Sequence, residues 1–143
     1  MRRTTIALLA PCLLLATATI GCSNSDGAAK DCATALTGRT GSDSADTPTV
    51  SEAEKRVDAL DKTFAGMVRS GYADAAKNAA DAVKKKTKEG GKSRPEACEP
   101  LSEDDYTALL MAEAIGGLGW TDKDGRFDKL KMVESLGWRC VFV

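Results

Sequence analysis

Five cysteines carry the most versatile chemistry in this chain: Cys12, Cys22, Cys32, Cys98 and Cys140. A thiol can be acylated, oxidised to a disulfide or used as a nucleophile, and its setting decides which. Cys22 stands in "ATATIGCSNSDG", Ala16 to Gly27. There an apolar run ends at Gly21-Cys22 and polar residues follow at once. Small Gly21 leaves the preceding peptide bond accessible, so a thiol at this junction suits attachment. Cys12 follows Pro11 inside the apolar run and reads as part of it.

Other chemistries lack their groups. The 143 residues contain no histidine, which removes Ser-His-Asp and Cys-His catalysis and imidazole metal ligation. No Ser-x-x-Lys, GxGxxG, P-loop or CxxC occurs. Asp122, Asp124, Gly125 and Asp128 outline a calcium loop. With Gly125 as its sixth position, however, the first falls on Trp120 and the twelfth on Lys131, and neither supplies a carboxylate. The segment reads as an ordinary turn. Glu103, Asp104 and Asp105 could serve as acid and base, but acids at a helix start are caps more often. A net charge of −1 argues against nucleic acid as a partner. The residues therefore point to no catalytic group, no metal and no cofactor.

The start, "MRRTTIALLAPCLLLATATIGC", combines basic Arg2 and Arg3 with an uncharged apolar run from Ile6 to Ile20. That is the pattern of an export signal. The run is shorter than the roughly 20 residues of a spanning helix, and Pro11 interrupts it. Its end, Thr19-Ile20-Gly21-Cys22, resembles the lipobox of bacterial lipoprotein signal peptides, with Thr19 in place of the usual leucine. The resemblance implies cleavage between Gly21 and Cys22 and a diacylglycerol, with further acyl chains such as palmitate, on the Cys22 thiol. It implies anchoring on the extracytoplasmic face of the cell membrane. Two or more chains hold a protein to a bilayer far better than one, at about 0.8 kcal/mol per buried CH₂. A plain secretory signal and an uncleaved anchor are the other readings of the same run.

Export implies an oxidising compartment, where disulfides persist. With Cys22 acylated and Cys12 removed with residues 1–21, three cysteines remain and allow at most one internal bond. Cys32 and Cys98 both stand in polar, loop-like stretches, which favours their pairing. Cys98–Cys140 is the alternative. In the first case Cys140 is a buried thiol beside Trp138 and Phe142.

These residues need elements to hold them. Residues 22–49 read as a lipid-attached polar tether and loop. "SNSDGAAK" is too polar to order itself, "DCATALTG" reads as one helical turn or a short strand, and "RTGSDSADTPTV" carries turn residues throughout. Residues 50–143 read as a helical domain. Ser51 and Glu54 form a capping box ahead of a stripe of Val57, Leu60, Phe64 and Met67. A second helix, about 72–88, turns Tyr72, Ala75, Ala76, Ala79, Ala80 and Val83 to one face and stops at Gly90-Gly91. A third starts at Ser102, with Tyr106, Leu109, Leu110 and Ile115 inward. A fourth spans about 127–136, with Phe127, Leu130 and Val133 inward. "LGW" occurs twice, at 118–120 and 136–138. Each glycine suits the left-handed residue after a helix, and each Trp then packs as a lid on the core rather than lining a groove. Trp138, Cys140 and Phe142 alternate as in a strand. The expected fold is mainly α, a small bundle of about four helices with a short C-terminal strand.

A basic cluster of Lys77, Lys84, Lys85, Lys86, Lys88, Lys92 and Arg94 lies toward the end of the second helix. Lys84, Lys85, Lys86 and Lys88 are candidates to rest on anionic headgroups. The alternative is a solvated helix end that complements the negative C-terminal dipole. The layout resembles small lipoproteins of high-GC Gram-positive bacteria. The expected function is a membrane-anchored, non-enzymatic interaction module, with the bilayer and an unidentified envelope protein as partners. A small envelope enzyme, a ligand-sequestering protein and a structural component are the alternatives.

Overall fold

The computed structural model describes residues 24–42 and 47–137. Five α-helices follow one another: α1 Asn24–Thr40, α2 Val50–Arg69, α3 Ala73–Gly90, α4 Glu103–Gly117 and α5 Lys129–Ser135, with a single 3-10 turn at Glu96–Cys98 before α4. Among the described residues there is no named strand, and the only bridge pairs Thr121 with Phe127. The molecule is mainly helical, as its patterning predicts. Gly21 and Cys22 lie outside the described residues, and so do Trp138, Cys140, Phe142 and the expected C-terminal strand.

The expectation of a polar tether over 22–49 is overturned. Most of that span is α1, and its Ala29, Cys32, Ala33 and Leu36 are fully buried. These positions recur at spacings of 3, 1 and 3, one helical face. The face is built of Ala and Cys, so its contrast with the polar residues around it is weak in sequence. The helix is held by packing, since its own propensity is diluted by Gly27 and Gly38. Its contacts advance in step with those of α4: Thr37 meets Glu113, and the Thr40 backbone meets Gly117. The two helices therefore run in the same direction. Gly117 is required there, because a Cβ would strike the Thr40 carbonyl.

α4 is the centre of the fold and packs against α1, α2 and α3. Tyr106, Leu109, Leu110 and Ile115 are buried as expected. Ser102 caps the helix, its Oγ accepting the Asp105 N–H at 3.1 Å. α2 starts two residues earlier than the Ser51 box implies. Thr49 is its N-cap, Glu52 N–H donates to Thr49 Oγ1 at 3.3 Å, and Thr49 N–H donates to the Glu52 carboxylate at 2.8 Å. Ser51 is an exposed residue of the first turn. Tyr72, expected on the inner face of α3, stays exposed because it precedes the first turn of that helix.

Both LGW glycines are left-handed, Gly119 with φ 76° and Gly137 with φ 80°. Around the first, Trp120 N–H reaches the Ile115 carbonyl at 3.2 Å and Gly119 N–H reaches Gly116 at 2.8 Å. That is a Schellman motif. Trp120 is turned into the core, and its Nε1–H donates to Ser135 Oγ at 2.6 Å, tying the turn to α5. α5 itself is shorter and rotated relative to expectation. Leu130 is 74% exposed, while Met132 is fully buried. The N-cap is Asp128, which accepts from Leu130 and Lys131. That cap fixes the helix phase and puts Met132 beneath Trp120's cluster.

Candidate functional site

Cys32 and Cys98 are bonded, with Cα atoms 4.6 Å apart. The pairing is the favoured one, but its setting is not the expected loop. Cys32 lies in α1, Cys98 ends the 3-10 turn, and both are fully buried. Arg94 completes this corner. Its guanidinium donates to the carbonyls of Cys98 and Leu101 and to Glu103 at 2.9 Å, and it stacks over Tyr106 at 4.6 Å. Arg94 therefore clamps the disulfide turn onto α4 instead of joining a basic patch. Glu103 is spent on the same clamp.

Lys86 departs from the patch as well. Its Nζ donates to the Thr40 carbonyl at 3.2 Å, closing the C-terminal end of α1. Lys77 pairs with Asp81 at 3.7 Å. Lys84, Lys85 and Lys88 stay exposed on α3. Lys84, Lys85, Lys88 and Lys92 share a shallow depression with Asp81 and Glu89.

Among the concavities of the described residues, one of about 430 Å³ lies between Glu52, Arg56 and the 124–127 turn, and two others bear more directly on a site. The first of these two, about 410 Å³, lies where the turns after α1 and α4 meet α2, with Arg56, Gly116, Gly117, Asp122 and Lys131 on its walls. Three of its charged groups, Arg56, Asp122 and Lys131, are engaged in hydrogen bonds, and Lys123 is exposed at its edge. Buried Arg56 donates to the Ala112 carbonyl at 3.2 Å, and Lys131 donates to Thr121 at 2.6 Å. Asp122 accepts the N–H groups of Asp124 at 2.8 Å and Arg126 at 2.9 Å. The Arg126 bond, foremost, holds the Asp122 carboxyl below its ordinary value. The turn reading of 122–128 stands. Next to this cleft, fully buried Glu113 accepts from Thr37 at 3.2 Å. Arg56 and Glu113 thus join α1, α2 and α4 through polar contacts. Sequence reasoning missed both. The available signal was a charge standing on an apolar stripe: Arg56 between Ala53 and Leu60, Glu113 after Leu109 and Leu110.

The second concavity is apolar. It holds about 360 Å³ where α2 and α3 part above α4. Leu60 and Val83 form the floor, Phe64, Ala80 and Met111 the walls, and Lys84, Lys88 and Asp61 the rim. The Thr87 hydroxyl donates back to the Val83 carbonyl at 2.8 Å. An apolar hollow with a few charges at its mouth is the usual form of a ligand site. Two expected patch residues, Lys84 and Lys88, are thus brought together at the edge of a hollow that periodicity did not reveal.

Among the described residues no helix is long and apolar enough to cross a membrane, and no group of three or more His, Cys, Asp or Glu could hold a metal ion. No protein-family model, no curated protein and no solved structure matches this chain.

Proposed function

We propose that the chain is an extracytoplasmic lipoprotein, anchored through acyl chains on Cys22, whose helical body is a non-enzymatic binding module. The observation that carries this reading is the buried Cys32–Cys98 disulfide. Such bonds persist in oxidising compartments, which is where the leader ending at Gly21-Cys22 would deliver the body. The two features are independent, one a property of the fold and one of the leader. α1 begins at Asn24, two residues beyond Cys22. An anchor there would hold the body flush against headgroups, where a ligand drawn from the membrane is near at hand.

The apolar hollow favours a ligand-sequestering form of this module over one that docks a protein. Nine residues line it, whereas a standard protein interface takes roughly 20–30 on each side. Mass spectrometry of the membrane fraction tests the anchor. An acylated peptide beginning at Cys22 is expected, and Cys22→Ala is expected to abolish that modification. An unmodified N-terminus elsewhere overturns the reading.

A further inference from the structure

We propose that the hollow between α2, α3 and α4 binds a free fatty acid, its chain over Leu60 and Val83 and its carboxylate on Lys84 and Lys88. The assignment goes beyond the anchoring of Cys22 and does not rest on it. The interior selects an alkyl chain because it is lined by Leu60, Phe64, Ala80, Val83 and Met111. The one hydroxyl among its walls, on Thr87, is already spent on the Val83 carbonyl. A polar ligand would lose its water there without gaining partners.

The rim selects the head. Lys84 and Lys88 stand one turn apart on the same face of α3, and both line the mouth. Both are exposed, and neither forms an ion pair with another described residue. Asp61 is the single acid of the rim, so the mouth has a surplus of positive charge. A carboxylate accepts from both lysines. An alcohol head accepts from the lysines as a neutral oxygen, without the attraction between opposite charges, and an ammonium head is repelled. The volume, about 360 Å³, lies at the small end of ligand pockets, which suits one chain rather than a two-chain lipid.

The test uses the full natural protein, purified from the cells that make it, in phosphatidylcholine nanodiscs where mass shows it to carry lipid and in plain buffer where it does not. It is exposed to a diazirine-bearing palmitic acid and, separately, to the alcohol of the same chain. Photolabelling by the acid is expected on the peptides carrying Phe64, Ala80 and Met111, several-fold above the alcohol. Lys84→Glu with Lys88→Glu should lower labelling by the acid about tenfold, as expected for two weak exposed charge contacts reversed, and leave the alcohol unchanged. Circular dichroism checks that the variant keeps its helices. Ala80→Leu, which narrows the hollow, should reduce labelling by both probes. Equal labelling by acid and alcohol, labelling spread over other faces, or a crosslink showing residues 138–143 of the chain itself in the hollow would each overturn the assignment. None of these outcomes bears on Cys22, whose acylation is read by mass alone.

Discussion

Around α1 the core is made of Ala29, Cys32, Ala33, Leu36, Cys98, Leu101, Leu109 and Leu110, mostly small or mid-sized groups with Tyr106 beside them, closed by a disulfide and the Arg94 clamp. Beneath α2 and α3 it combines the larger Leu60, Met67, Val83, Ile115, Trp120 and Met132 with Ala75, Ala76 and Ala79, has no covalent tie among the described residues, and opens into a hollow. The difference follows from what each side chain can contribute. Burial stabilises by roughly 25 cal/mol per Å², so an alanine-rich helix gains little from packing alone. A crosslink makes up the shortfall by restricting the unfolded chain. The second half gains enough from Trp120 and its neighbours to tolerate an unfilled hollow beside them. Binding sites are drawn from such less completely packed regions.

Breaking the bond is the strongest way to test this contrast. Cys32→Ser with Cys98→Ser opens a link across 66 residues, worth about 4 kcal/mol in the chain-entropy description. Urea unfolding measures the loss, and hydrogen exchange should show α1 losing protection before α2 and α3. Equal loss of protection in all three helices would erase the distinction between the halves.

Truncation of a leucine in each half sharpens the comparison further. Leu109→Ala lies in the sealed half and should cost about 3 kcal/mol. Leu60→Ala lies on the floor of the hollow, where water can reach the new space, and should cost about 2 kcal/mol, the low end of the same range. Thermal or urea unfolding of both variants gives the order, and a reversed order would contradict the open floor.

A methyl group at Gly117 probes the approach of α1 to α4. Its Cβ would meet the Thr40 carbonyl, which is backbone and has little room to yield. Gly117→Ala should cost about 2 kcal/mol, despite the better helix propensity of alanine. A neutral result would mean that α1 can shift along α4.

The smallest effect is at the start of α2. The Thr49 backbone N–H bond, foremost, and the Thr49 hydroxyl bond hold the Glu52 carboxyl below its ordinary 4.5. A depressed carboxylate stabilises the fold fully above that value. The contribution fades as pH falls from about there through the lower folded value. Thr49→Ala should cost about 1 kcal/mol at neutral pH. It should flatten that segment of the acid unfolding curve only in part, as followed by circular dichroism, because the foremost bond comes from the Thr49 backbone N–H and survives the substitution.

The sequence was most legible where side-chain contrast is high. α2, α3 and α4 announce themselves through stripes and caps, and the Ile115–Trp120 turn through its glycine. α1 was hidden because alanine and cysteine on one face differ little from serine, glycine and threonine on the other. The phase of α5 was misread for another reason. Phe127 and Val133 do pack on the core, but Asp128 starts the helix between them, and Leu130 is swung outward. In the basic cluster, composition shows seven cations and nothing of their partners. Lys86 and Arg94 each bond to carbonyls that the chain brings close only after folding.

Sequence alone determined the helical class, the Ser102 cap of α4, the likeness of the leader to a lipobox and the favoured cysteine pair. Those properties depend on residue type and short spacing, which a linear chain displays in full. Tertiary structure alone decided that α1 belongs to the body, that Arg56 and Glu113 are buried and that Lys84 and Lys88 edge an apolar hollow. Each of these depends on contacts between residues far apart in sequence. Such contacts form because the stripes of α1, α2 and α3 can leave water together only against α4.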